Sequence, residues 1–152
     1  MRATASFMAI AIILALAASP GQAYDASRAE IIGLRLDMLD TEVLMTMRRQ
    51  GFAVTHDHGA LVARTRDGQL TVDLTDTQAV RRIRYVFTSN GVGETQKIEE
   101  SILDRFGPPD QMKPMGWCLA LSRDGRCAED GPSLIFQPET LTLVLQSRTD
   151  RP

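Results

Sequence analysis

Every-second-residue apolar alternation constrains this chain more than any other feature. Leu70, Val72 and Leu74 alternate with Thr71, Asp73 and Thr75, and Ile83, Tyr85 and Phe87 alternate with Arg82 and Arg84. Leu141, Leu143 and Leu145 repeat the pattern near the C-terminus. Successive strand side chains point to opposite faces, so each stretch predicts a strand with one face on a core and one in water. Phe52 to Thr55 and Ala60 to Arg66 flank His56-Asp57-His58-Gly59, and Arg66-Asp67-Gly68 follows. Both junctions read as hairpin turns, Asp-Gly being a strong signal of this kind. The set predicts an antiparallel meander. Further strands are expected over Met115 to Leu121, Ser133 to Gln137 and Thr140 to Gln146.

Two stretches carry helical spacing instead. Leu39, Val43, Leu44 and Met47 form one stripe, with Asp40 as the expected N-cap and Gly51 as the stop. Ile98, Ile102, Leu103 and Phe106 form another from about Glu94, with Lys97, Glu99, Glu100 and Asp104 on the outer side. Gly107-Pro108-Pro109 ends it. The expected fold class is α+β: two helices packed on one face of an antiparallel sheet. Each half runs helix, glycine stop, then strands, as two degenerate halves would.

The first 23 residues read as a secretory signal peptide. Arg2 supplies the positive end, Met8 to Ala18 an apolar core too short to span a membrane, and Gly21-Gln22-Ala23 a small-x-small cleavage site. The sequence therefore predicts cleavage after Ala23 and one domain over residues 24–152, 129 residues long. Its net formal charge is −3, since Arg2 is the only charge in the leader. A periplasmic or secreted location is expected, with no stable membrane anchor after cleavage. In such a compartment Cys118 and Cys127, the only cysteines, are expected to form a structural disulfide across the Arg123-Asp124-Gly125 turn.

Few residues point to chemistry. The balance of 17 basic and 19 acidic residues gives no electrostatic footprint for nucleic acid. There is no Gly-x-Ser-x-Gly elbow, no Cys-x-x-Cys and no Gly-rich phosphate loop, so neither an enzyme nor a cofactor is expected. His56 and His58 are both histidines of the chain. Positions i and i+2 of a strand share a face, which makes them candidate metal ligands needing a third partner. The preferred reading is a solvated turn. Arg82 and Arg84 share a strand face and form a candidate patch for an anionic partner, against the plainer reading of a wet sheet face. Trp117, beside Cys118, reads as core packing.

Gly33-Leu34-Arg35-Leu36-Asp37-Met38-Leu39-Asp40-Thr41-Glu42-Val43 resembles the G-x-x-x-G-M-(S/T)-x-x-(E/Q)-V run into the first helix of outer-membrane assembly lipoproteins of the SmpA/OmlA (BamE-like) type. Phe106-Gly107-Pro108-Pro109 resembles the (L/Y)-G-x-P that ends a helix in those units. The same small unit occurs in tandem in beta-lactamase inhibitory proteins. Asp37 stands where that pattern has glycine, and no lipobox cysteine follows the leader. The resemblance implies a non-enzymatic domain that binds another envelope or secreted protein. The alternatives are a metal-binding protein or small enzyme using His56 and His58, and a small-ligand binder with a pocket between helix and sheet.

Overall fold

The structure is a computed structural model that describes residues 29–89 and 91–147. The expected leader and its cleavage site lie outside the described residues. The element order is α1 (Asp40–Arg49), β1 (Val54–Asp57), β2 (Ala60–Arg64), β3 (Gly68–Leu74), β4 (Val80–Phe87), α2 (Val92–Phe106), β5 (Gln111–Met112), β6 (Met115–Cys118), β7 (Ser133–Gln137) and β8 (Thr142–Gln146). All eight strands join one antiparallel sheet in the order β1-β2-β3-β4-β8-β7-β6-β5. Two meanders thus meet where their last strands pair, Ile83 opposite Leu145 and Tyr85 opposite Leu143.

This corrects the expected fold class. The protein is sheet-dominated, rather than two helices packed on a sheet. Eight strands at about 4.8 Å spacing make a sheet roughly 34 Å wide, whereas two helices of about 10 Å diameter cover far less. The core is built mostly by strands: Leu61, Leu70, Val72, Ile83, Leu134, Phe136 and Leu145 are essentially inaccessible. Val43 and Met47 of α1 and Ile102 and Phe106 of α2 only add to it, as do Ala29, Ile31 and Leu34 of the irregular N-terminal segment.

Local signals explain the ends of α1. Leu39, not Asp40, is the N-cap residue; its backbone N–H donates to Glu42 Oε2 at 2.9 Å. At the other end Gly51 takes φ +78°, its N–H bonds Arg48 O at 3.0 Å, and Phe52 N–H bonds Met47 O at 3.0 Å. That pair of bonds is a Schellman closure and folds Phe52 back onto the helix.

Gly68 is required by contact rather than by turn geometry. A Cβ there would lie 2.2 Å from Val86 O, so only glycine lets β3 and β4 close up at this point. Beside it the hydroxyls of Thr65 and Tyr85 meet at 2.6 Å, which satisfies a tyrosine that is 5% exposed. At the far end of the sheet Trp117, 3% exposed, donates its indole N–H to Gly107 O at 3.0 Å and packs on Phe106 at 5.9 Å between ring centroids. The end of α2 is thereby fixed to β6.

Candidate functional site

Pairing registers separate the two faces of the sheet. On the face away from the core, one row crosses all eight strands: Thr55, Val62, Thr71, Arg84, Val144, Ile135, Gly116 and Gln111. A parallel row holds Asp73, Arg82, Gln146, Ser133 and Cys118. A third holds Arg64, Gln69, Val86, Thr142 and Gln137. An ordinary wet sheet face alternates polar residues outward. This one also carries Val62, Val144 and Ile135, all half-buried, and Val86 at 39% exposure.

The candidate arginines both lie on this face. Arg82 faces Asp73 across the β3–β4 ladder, with Nη1 3.5 Å from Asp73 Oδ2. Arg84 sits between Thr71 and Val144 and is exposed. A guanidinium beside valines combines charge with apolar area, a combination enriched in protein interfaces.

The same face is hollowed toward its C-terminal half. A cavity of about 620 Å³ has Gly116, Ser133, Ile135 and Gln146 on its strand side, with Asp110 and Gln111 also in its lining. A further wall is the stretch between β6 and β7, which the Cys118–Cys127 disulfide ties together, through Ala120, Cys127, Ala128, Gly131 and Pro132. The disulfide expected from the sequence is present. The loop is itself a narrow hairpin: Leu121 bridges Cys127, Ala128 N–H bonds Ala120 O at 3.0 Å, and Ser122 N–H bonds Arg126 O at 2.8 Å. At its tip the Ser122 hydroxyl donates to Asp124, which holds that carboxyl below the usual carboxylate range. Asp110 Oδ2 accepts the Cys118 N–H at 2.7 Å and so anchors the cavity wall to β6.

The histidines are separated by backbone geometry. His56 lies in β1 opposite Leu61, while His58 occupies the hairpin turn with φ +46°, followed by Gly59 at +83°. Two successive positive φ angles make a tight hairpin turn, so the i, i+2 strand argument does not apply to this pair. His58 Nδ1 lies 2.5 Å from Asp57 Oδ1. Among the described residues, the one group of three metal-ligating side chains is Asp110, Cys118 and Cys127. Its sulfurs are joined to each other.

Two smaller clefts, about 260 and 270 Å³, lie beside α2 and share Phe87, Lys97 and Ile98. Among the described residues no helix is long and apolar enough to cross a membrane.

Sequence reasoning missed the cavity, Asp110 and Gly116. A usable signal was present in Ser133-Leu134-Ile135-Phe136-Gln137 and Thr142-Leu143-Val144-Leu145-Gln146. Each strand also carries one β-branched apolar residue on the second face, Ile135 and Val144, which pair with each other. Comparison with known proteins found no matching family model, curated protein or solved structure.

Proposed function

We propose that the protein is an exported, non-enzymatic binding module that receives another envelope or secreted protein on the open face of its sheet. One observation carries this reading: the row through Val62, Arg84, Val144 and Ile135 puts apolar side chains and an exposed guanidinium on a face that holds the largest of the cavities described above. Antiparallel strands give that face a rigid, preformed shape, which lowers the ordering cost of association. The resemblance to SmpA/OmlA-type and beta-lactamase-inhibitory domains points the same way, because those domains act by binding proteins. Secretion suits the disulfide, which persists in an oxidising compartment.

The test is an affinity capture from envelope extract with the wild-type protein and a Val144→Arg variant. A specific partner retained by the first and lost by the second supports the reading. A partner held equally by both places the interface elsewhere and refutes it. A second reading, a small-ligand binder, is favoured by the clefts beside α2, where Phe87, Ile98, Ile102 and Leu143 make an apolar lining with Lys97 and Arg105. Saturable binding of an apolar fluorescent anion, lost in Ile98→Glu, would support it.

A further inference from the structure

The cavity at the disulfide loop has a chemistry of its own. Its strand-side lining of Gly116, Ser133 and Ile135 is small or neutral. The amides of Gln111 and Gln146 and the Ser133 hydroxyl are its polar, uncharged side-chain groups. Among the described residues, Asp110 is the only charged side chain in the lining, and none of them contributes a lysine or arginine to it. Of the two open-face guanidiniums whose rows reach the cavity, that of Arg82 is paired with Asp73 at 3.5 Å, and that of Arg84 stands two strands away from Ile135. Asp110 is also positioned: the Cys118 N–H holds Oδ2, while an ionised carboxylate has about four acceptor sites. Two exposed acids, Glu129 and Asp130, stand in the loop between the lining residues Ala128 and Gly131.

A preformed cavity whose described lining has one oriented carboxylate and otherwise neutral hydrogen-bonding groups disfavours an anion. An apolar group fits poorly too, because burying it there desolvates Asp110, Gln111 and Gln146 with nothing in return. A cation with a hydrocarbon stem satisfies both requirements, the stem lying on Ile135, Ala120 and Ala128. We propose that this cavity is a specificity pocket that takes a lysine or arginine side chain of the protein partner, with Asp110 as its counter-ion. The inference rests on the open-face reading and deepens it by naming the partner's chemistry.

The experiment is an amide-shift titration of the full mature chain with N-acetyl-arginine amide, N-acetyl-citrulline amide and N-acetyl-glutamate amide. Citrulline keeps the shape of arginine without its charge. The expected result is a saturable shift centred on Gly116, Cys118, Ala128 and Gly131 with the arginine probe, about tenfold or more weaker with citrulline and absent with glutamate. Asp110→Asn keeps an acceptor for the Cys118 N–H, so the fold is retained, and it should erase the preference for arginine over citrulline. Gly116→Leu should block the arginine shift by filling the cavity. Equal binding of arginine and citrulline, shifts centred elsewhere, or no saturable shift would overturn the proposal. The two claims fail separately. A partner lost with Val144→Arg but bound unchanged by Asp110→Asn removes the basic-side-chain pocket and leaves the open face as the interface.

Discussion

Asp110 and Cys118 are joined across the start of the second meander: the Asp110 carboxylate accepts the Cys118 N–H at 2.7 Å, and Asp110 N–H in turn donates to Gly116 O at 2.8 Å. One residue therefore ends the Gly107-Pro108-Pro109 connector, extends the β5–β6 pairing and fixes the cysteine that begins the disulfide loop. Asp110→Ala should cost about 1 kcal/mol of stability, with Asp110→Asn closer to wild type. Urea denaturation of the two variants checks this. Equal losses would mean that the hydrogen bond to Cys118 contributes nothing.

The disulfide closes a nine-residue separation, Cys118 to Cys127. Chain-entropy reasoning for a ring of this size gives about 2–3 kcal/mol. Denaturation with and without a phosphine reductant should show that difference. Reduction should also broaden the amide signals of Ala128 and Gly131, because the cavity wall is held by the bridge and one short ladder. Loss of the β1–β4 signals as well would show that the loop supports the whole sheet.

Two strand glycines should respond in opposite ways. At Gly68 a Cβ falls 2.2 Å from Val86 O and 2.9 Å from the Tyr85 ring. Gly68→Ala should cost about 3 kcal/mol through overpacking. At Gly116 the nearest atoms to a Cβ are 3.7 and 4.0 Å away, which is ordinary contact. Gly116→Ala should be neutral or stabilising by up to about 1 kcal/mol, since glycine in a strand has more backbone entropy to lose. Thermal melts of the two variants decide it. A glycine retained at 116 despite that gain would be explained by the space that it leaves on the open face.

Asp124 gives the pH dependence. The Ser122 hydroxyl lowers its pKa against an opposing desolvation, and the Asp124 and Arg126 backbone groups add smaller lowering contributions. A carboxyl with a lowered folded pKa stabilises the folded loop above its unfolded value, near 3.8, and loses that contribution as pH falls through the folded value. The disulfide loop should thus loosen only below about pH 4, with no change between neutral pH and 5. A carboxyl-carbon NMR titration should place Asp124 below the other aspartates, and Ser122→Ala should raise it. An unmoved midpoint in Ser122→Ala would assign the shift to another cause.

Local pattern reached as far as local physics does. The alternation at Leu70 to Leu74 and at Ile83 to Phe87 matches β3 and β4 because binary burial is written residue by residue. Ser133 to Gln137 matches β7 to the residue. Gly51 stops α1 because its positive φ is a property of glycine itself. The breadth of the sheet was not legible. β5 is two residues long, set between Pro108-Pro109 and Pro114, and no periodicity exists over such a length. The β4–β8 pairing joins residues about 60 positions apart, and nothing in either strand alone names its neighbour. Leu141 breaks its apparent alternation with Leu143 by taking φ +49° in the turn before β8. The cavity was hidden for the same reason: it assembles Asp110, Gly116, Ala128, Ser133 and Gln146 through tertiary pairing. Arg82 and Arg84 fell on the open face as strand parity requires, whereas His58 left the strand for the turn.

The central claim is that the partner meets the open face of the sheet. Site-specific photo-crosslinking tests it most directly, with a benzophenone side chain placed in turn at Arg84, Val144 and Gln137 on that face, and at Glu99 and Asp104 on the outer side of α2. In cell extract one common adduct is expected from the open-face positions, competed away by unlabelled wild type but not by Val144→Arg, and no adduct from the two helix positions. A common adduct from the helix positions, with the open-face positions silent, would contradict it.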